Sequence, residues 1–185
     1  MDSLQITTLP GAGRIGLLAD THCDASRRLP SRVFEAFAGV DLILHLGDCG
    51  DARALEELQR IAPVIATRGG DDTPGDAHYA ARRVVEAGGL TVGALFDLAS
   101  IGVAIDDGRP ALDAATIGGI VAGAFGRGHV DVVAFAATHQ SWLGHCGGVL
   151  LVNPGSATLP AVPGRTAVAI LDCRSGVASV ELEPV

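Results

Sequence analysis

Arg14-Ile15-Gly16-Leu17-Leu18-Ala19-Asp20-Thr21-His22 and Asp41-Leu42-Ile43-Leu44-His45-Leu46-Gly47-Asp48 decide the fold. Each is an apolar run of strand length that ends in side chains able to ligate a metal. In an open α/β sheet the loops beyond the carboxyl ends of parallel strands line one crevice. Asp20, His22 and Asp48 can therefore converge there despite their separation in sequence. A bound divalent metal would give them a reason to do so.

Working outward, 14–19, 41–46 and 63–67 read as buried strands, and 30–39 and 52–61 as the helices between them, giving a β-α-β-α-β start. Pro30 suits a first helical turn, and Val33, Phe34 and Phe37 gather on one side. Leu55, Leu58 and Ile61 do the same in the second helix, leaving Glu56, Glu57 and Arg60 to solvent. Beyond Gly69-Gly70, strand-like segments are expected at 82–87, 90–95 and 101–105, and a helix over 111–125. Further strands follow at 130–136, 148–152, 167–173 and 177–182, the last two joined by Arg174-Ser175-Gly176. The expectation is an α/β protein with two packed sheets and helices outside, in one domain spanning 1–185.

The 185 residues are 48% hydrophobic, enough for one well-filled core. A formal charge of -8 argues against broad nucleic-acid binding, although a metal centre can still attract a phosphorylated small molecule. The apolar stretches 89–105 and 116–125 are interrupted by Asp97 or too short for a bilayer, so no membrane span is expected. Met1-Asp2-Ser3-Leu4-Gln5 lacks a basic n-region, which makes the cytoplasm the default location. Cys23, Cys49, Cys146 and Cys173 form no Cys-x-x-Cys pair, and reduced thiols are the plain reading. The oligomeric state is open, a homo-oligomer included.

The ordered series Asp20-x-His22, Gly47-Asp48, Arg68-Gly69-Gly70-Asp71-Asp72, Thr138-His139 and Asn153-Pro154-Gly155-Ser156 resembles the calcineurin-like metallophosphoesterase superfamily, particularly its small bacterial phosphodiesterases of the YfcE type. The resemblance covers nearly the whole chain. It implies a four-layer α-β-β-α sandwich of two mixed sheets and a centre in which metals bind phosphoryl oxygens and activate water. Carried over, it makes Asp20, His22, Asp48 and His139 the ligands of one metal, manganese, iron or zinc, with Asp48 as the family's bridging residue. The second position departs from the pattern. Gly70 stands where the family has Asn, Ala137 where it has the first His of Gly-His-Thr-His, and Phe96 at or beside another His. None of these offers a donor, so one metal site is better supported than two.

Asp71 and Asp97 lie close enough to the lost positions to be considered as replacements, as does Asp72. The resemblance gives Asp72 an orienting role, against the plain reading of a loop-capping carboxylate. Asp71 occupies the place of a leaving-group acid in distant relatives, which would require a raised pKa. Arg68 is a candidate phosphate contact or the partner of a neighbouring Asp. Asn153 is a candidate cleft wall or a simple turn residue. Taken singly, Asp20 and Asp48 could cap strand ends, and His139 could be structural. His45 has no assigned role; His129 has no matching motif, His145 is an alternative ligand and His78 reads as a surface residue. Gly11-Ala12-Gly13-Arg14-Ile15-Gly16 matches a dinucleotide fingerprint but precedes the strand instead of following it, so that reading is rejected. Two functions follow: a metal-dependent phosphoesterase, weak or single-metal, or a catalytically inactive member that binds a phospho-ligand or a protein. A eukaryotic retromer subunit of the same fold is the family precedent for the second.

Overall fold

The computed structural model describes residues 4–10, 13–73, 76, 78–111 and 114–185. The chain opens with β1 (Leu4–Thr8) and β2 (Arg14–Leu18), then alternates α1 (Ser31–Ala36), β3 (Leu42–His45), α2 (Arg53–Leu58) and β4 (Val64–Thr67). After the short β5 (Tyr79–Ala80) come β6 (Arg82–Ala87) and β7 (Leu90–Leu95), a 3₁₀ turn at Leu98–Ile101, and a small hairpin of β8 (Ile105–Asp106) and β9 (Arg109–Pro110). Helix α3 (Ala114–Ala124) leads to β10 (Val132–Ala134), β11 (Ser141–Cys146), β12 (Val149–Pro154), β13 (Ala167–Asp172) and β14 (Ser179–Pro184).

Two mixed six-stranded sheets result, ordered β1-β6-β7-β10-β12-β11 and β14-β13-β2-β3-β4-β5. The period-two alternation of the strands sorts their side chains between layers. Ile15, Leu17, Leu42 and Leu44 point between the sheets, against Val85, Val92, Val132 and Val152. Leu18 and Ile43 face outward onto Val33, Phe37, Leu55 and Leu58 of the α1 and α2 region. On the other outer face, Val84, Val133 and Leu151 meet Ile117, Val121 and Phe125 of the α3 region. This is the expected four-layer sandwich. Gly16 permits the close approach of α1, because a Cβ there would lie 2.9 Å from the Phe37 ring.

The strands that matter for function run parallel. In one sheet β2 pairs with β3 and β3 with β4; in the other β10 pairs with both β7 and β12. Their carboxyl ends open toward one edge of the sandwich, where the residues beyond β2, β3, β4, β7 and β10 gather.

Several boundaries differ from the sequence reading. The helices at 30–39 and 52–61 are confined to 31–36 and 53–58, their remaining residues closing in turns. Of the strand expected at 101–105, only Ile105 enters one, the two-residue β8. Asp97 caps the 3₁₀ turn by accepting from the Ala99 N–H (2.8 Å), and Gly102 ends it in the left-handed region. The expected 111–125 helix runs from 114 to 124, with 112–113 outside the described residues. The last strand lies at 179–184 instead of 177–182, since the turn after β13 is longer. Strands β1, β5, β9 and β11 lie outside the strands expected from the sequence. Gly11 and Ala12 of the rejected fingerprint, and Met1 to Ser3, also lie outside the described residues. No helix among the described residues is long and apolar enough to cross a membrane.

Candidate metal centre

The loops after β2 and β3 are laced together by the backbone. Asp20 N–H donates to Gly47 O (3.0 Å), His22 N–H to Asp48 O (2.9 Å) and Cys23 N–H to Cys49 O (2.9 Å). Beneath them His45 is completely buried. Its Nδ1 accepts from the Gly47 N–H (3.2 Å), which leaves the proton on Nε2 to reach Thr21 Oγ1 (2.9 Å), and that hydroxyl donates to Cys49 O (2.9 Å). Burial pushes the His45 pKa down to about 4, so the imidazole is neutral in the fold. Its work is to tie the two strand-end loops together.

Five of the six described non-glycine residues in the left-handed region belong to this edge: Asp20 (φ 48°), His22 (40°), Asp48 (53°), Ala137 (68°) and His139 (54°). Such backbone is costly and tends to concentrate where side chains must be aimed at a common point. Two groups of potential ligands result, Asp20–His22–His139 and His22–Asp48–Asp71, each with one donor atom per residue within 4.8 Å of the others. The rings of His22 and His139 stack with centroids 5.2 Å apart. His22 Nε2 lies 3.6 Å from Asp48 Oδ2, and His139 Nε2 lies 3.8 Å from Asp20 Oδ1.

The far nitrogen of the His139 ring is held by a hydrogen bond, whereas that of His22 only approaches a carboxylate. His139 Nδ1 is 2.6 Å from the Leu159 carbonyl oxygen and must donate to it, which frees Nε2 to act as a lone-pair donor. His22 Nδ1 is 3.4 Å from Asp71 Oδ2. Asp20 is fully buried, and neither carboxylate oxygen makes a well-formed hydrogen bond, although the backbone N–H groups of His139 and Ala137 lie near enough to lower its pKa. Burial is the main reason its pKa rises to about 7; the nearby His139 lowers it and Asp48 raises it. An orphaned buried carboxylate facing an imidazole fits a cation better than it fits a folded-state strut. Carboxylate and imidazole donors suit a divalent transition ion.

The remaining expected residues take distinct places. Asp72 is buried, and its oxygens accept from the backbone N–H groups of Asp48 (2.9 Å), Cys49 (3.0 Å) and Gly69 (2.8 Å). Asp71 donates its own N–H to Asp48 Oδ1 (2.8 Å), while its side chain is 74% exposed. Arg68 is half-buried where β4 turns toward Gly69, its N–H bonded to Ala80 O. Asn153 is fully buried and its amide is internally satisfied, donating to Ala136 O and Thr138 Oγ1 and accepting from the Gly155 N–H. That arrangement shapes the turn carrying Thr138 and His139. Asp97 serves its 3₁₀ turn. His145 lies along β11, outside both ligand groups.

On the second-metal side, Gly70 and Phe96 are neighbours beside Asp48. A Cβ at Gly70 would lie 3.9 Å from Asp48 Oδ1 and 4.0 Å from the Phe96 ring. Phe96 packs on the inter-sheet core, and Ala137 contributes only a methyl group. The two ligand groups also share His22. A second ion would therefore depend chiefly on Asp48 and Asp71.

The sequence reading missed the clamps that fix this edge. Ser156 Oγ donates to Asp20 O (2.7 Å), and Thr158 Oγ1 donates to Thr21 O (2.6 Å). Ser156 belongs to the quoted Asn153-Pro154-Gly155-Ser156 motif, but neither its hydroxyl nor that of Thr158 carries a signal of so distant a partner. All four cysteines are free, and burial pushes the Cys49 thiol up to about 12, consistent with an unreactive side chain.

The sequence profile of the calcineurin-like phosphoesterase superfamily domain matches residues 14–176. A probable metallophosphoesterase of Methanocaldococcus jannaschii is 31% identical over 156 residues, covering 84% of this chain and 73% of that protein. Another from Methanothermobacter thermautotrophicus is 33% identical over 151 residues, covering 79% and 78%. Among solved structures, Vps29 of Entamoeba histolytica complexed with zinc has the same fold, with a TM-score of 0.66 and 18% identity over 92% of this chain and 98% of that one. The chain belongs to the calcineurin-like phosphoesterase superfamily.

Proposed function

We propose that the protein is a metal-dependent phosphoesterase working with a single divalent ion held by Asp20, His22, Asp48 and His139. The observation that carries this reading is the Asp20 carboxylate, buried with both oxygens unpartnered beside His139. When bound, the ion supplies Lewis acidity to a phosphoryl oxygen and makes a water molecule acidic enough to attack it. Leu159 O keeps the His139 imidazole oriented with Nε2 toward Asp20, and Asp71 lies 3.4 Å from the far nitrogen of His22. Asp71 N–H and the Asp72 carboxylate fix Asp48 from its side chain and its backbone, respectively. Arg68 binds a substrate oxygen from the adjoining loop, and the exposed Asp71 is the cleft's candidate proton donor to the leaving group.

The test is elemental analysis of protein purified without a tag or chelator, repeated after manganese incubation, with hydrolysis of 4-nitrophenyl phosphate and bis(4-nitrophenyl) phosphate. One ion per chain, lost in Asp48→Ala together with hydrolysis, is the expected result. Turnover should be modest, since each few kcal/mol of missing charge stabilisation costs about two powers of ten in rate. Hydrolysis equal to that of Asp48→Ala would remove the enzyme reading.

A second reading, an inactive phospho-ligand or protein binder, is favoured by Gly70, Phe96 and Ala137, which strip donors from one half of the centre. It predicts metal binding without turnover, or neither.

A further inference from the structure

The loop after β12 does more than close the sheet. Ser156 and Thr158 bond to the backbone of Asp20 and Thr21, Leu159 O receives the His139 ring, and Ala161 N–H donates to His139 O (2.9 Å). Its end is held by a turn in which Arg165 N–H donates to Val162 O (3.1 Å). The loop is thus fastened to the metal-ligand segments along its length and delivers Arg165 to a fixed place beside them. There a cavity of about 100 Å³ is walled by His139, Gln140, Ser141, Val162 and Arg165. His139 is the only ligand of the centre among these walls, so the cavity adjoins the centre without containing it.

The formal charge lining this cavity is positive. The chain carries a formal charge of -8, yet no carboxylate lines the cavity. Arg28, Arg127 and Arg174 are each paired with an acidic side chain, and Arg27 lies 3.6 Å from Asp24. Arg165, like Arg32, Arg53 and Arg60, has no such partner among the described residues; it is exposed and lines the cavity that adjoins His139. A guanidinium presents a planar fork of donors that matches carboxylate and phosphate oxygens.

We propose that this cavity is the subsite for an anionic group carried by the substrate away from the reacting phosphoryl, a carboxylate or a second phosphate, with Arg165 as the specificity-determining residue. The inference rests on the phosphoesterase reading of the adjoining centre. It deepens that reading by naming a substrate class: phosphate esters whose alcohol portion bears its own negative charge.

The test uses three probes that share a glycerol-like skeleton: glycerol 3-phosphate with neutral hydroxyls, 3-phosphoglycerate with a carboxylate, and 2,3-bisphosphoglycerate with a carboxylate and a second phosphate. Their dissociation constants are measured by calorimetry on manganese-loaded, full-length protein, with free manganese held constant by a buffer. At least one anionic probe should bind about tenfold tighter than glycerol 3-phosphate, as one charge-assisted contact allows. The ranking of the two anionic probes separates carboxylate from phosphate. Arg165→Ala should abolish the ratio while leaving the glycerol 3-phosphate constant unchanged, and Arg165→Lys should restore part of it. Metal-dependent glycerol 3-phosphate binding with no added preference, or a preference indifferent to Arg165→Ala, overturns the subsite alone. Absence of any metal-dependent phosphate binding overturns the subsite and the phosphoesterase reading together.

Discussion

Replacing Asp20 by Asn should stabilise the metal-free protein and abolish its response to metal, two effects of opposite sign from one atom pair. The Asp20 carboxyl is raised from 3.8 to about 7, chiefly by burial. The folded chain therefore holds this proton to higher pH than the unfolded chain does. Stability of the metal-free fold falls as pH rises from about 4 to about 7 and is then level, a loss of about 4 kcal/mol. Asn is neutral throughout and removes that loss, but its amide inherits a site without partners, which costs about 1–3 kcal/mol. At pH 8 a net gain of about 1–3 kcal/mol remains, or roughly 3–10 °C in melting temperature for a chain of this length. Manganese should reverse the order. At a hundredfold excess over its dissociation constant it adds about 2.7 kcal/mol to the wild type and nothing to a variant lacking the ligand. Thermal melts followed by circular dichroism at pH 5 and 8, with chelator and with manganese, provide all the comparisons. The reasoning fails if chelated Asp20→Asn melts below chelated wild type at pH 8, or if manganese raises both alike.

His45 should give the opposite pH signature. Its folded pKa of about 4 lies below the ordinary 6.5, so the unfolded chain takes up the proton first and stability falls as pH drops through that window, by about 3 kcal/mol. Because Asp20 contributes with opposite sign over much of the same range, the slope is best read in the Asp20→Asn background. Adding His45→Gln there should flatten it, and an unchanged slope would refute the assignment. Asp72→Ala leaves three backbone N–H groups without their acceptor. A loss of about 3–5 kcal/mol in urea unfolding is expected, and a loss under about 1 kcal/mol would mean water replaces the carboxylate at no cost. Combining Gly70→Asn, Phe96→His and Ala137→His should raise metal stoichiometry from one to two. There is room for the Asn beside Asp48, and His22 and His139 already adopt the left-handed backbone required at Ala137. Stoichiometry that stays at one would show that the second half-site has lost more than its donors.

What the sequence made legible was whatever repeats locally. Leu42-Ile43-Leu44 announces a strand buried on both faces, and the metal-capable residues after it announce where the strand ends. These signals lie within a few residues of one another. The edge strands were harder to read for different reasons. Leu4-Gln5-Ile6-Thr7-Thr8 alternates as a strand should, but with Leu4 and Ile6 left exposed it has little buried surface to announce. Ser141-Trp142-Leu143-Gly144-His145-Cys146 precedes Gly147-Gly148, a two-glycine hairpin turn whose significance competes with the metal motif just before it. At the candidate site, the ligand residues could be named because carboxylates and imidazoles are chemically distinctive. The residues that aim them could not. Leu159 acts through a carbonyl that every residue possesses, Ser156 reaches Asp20 across 136 positions, and Arg165 gains its meaning only from the loop that brings it alongside His139. The choice between a working centre and an empty inheritance therefore turns less on the retained ligands than on this surrounding lattice. Its intact contacts hold Asp20 buried and aimed at His139, an arrangement whose cost either a proton or a bound cation would relieve.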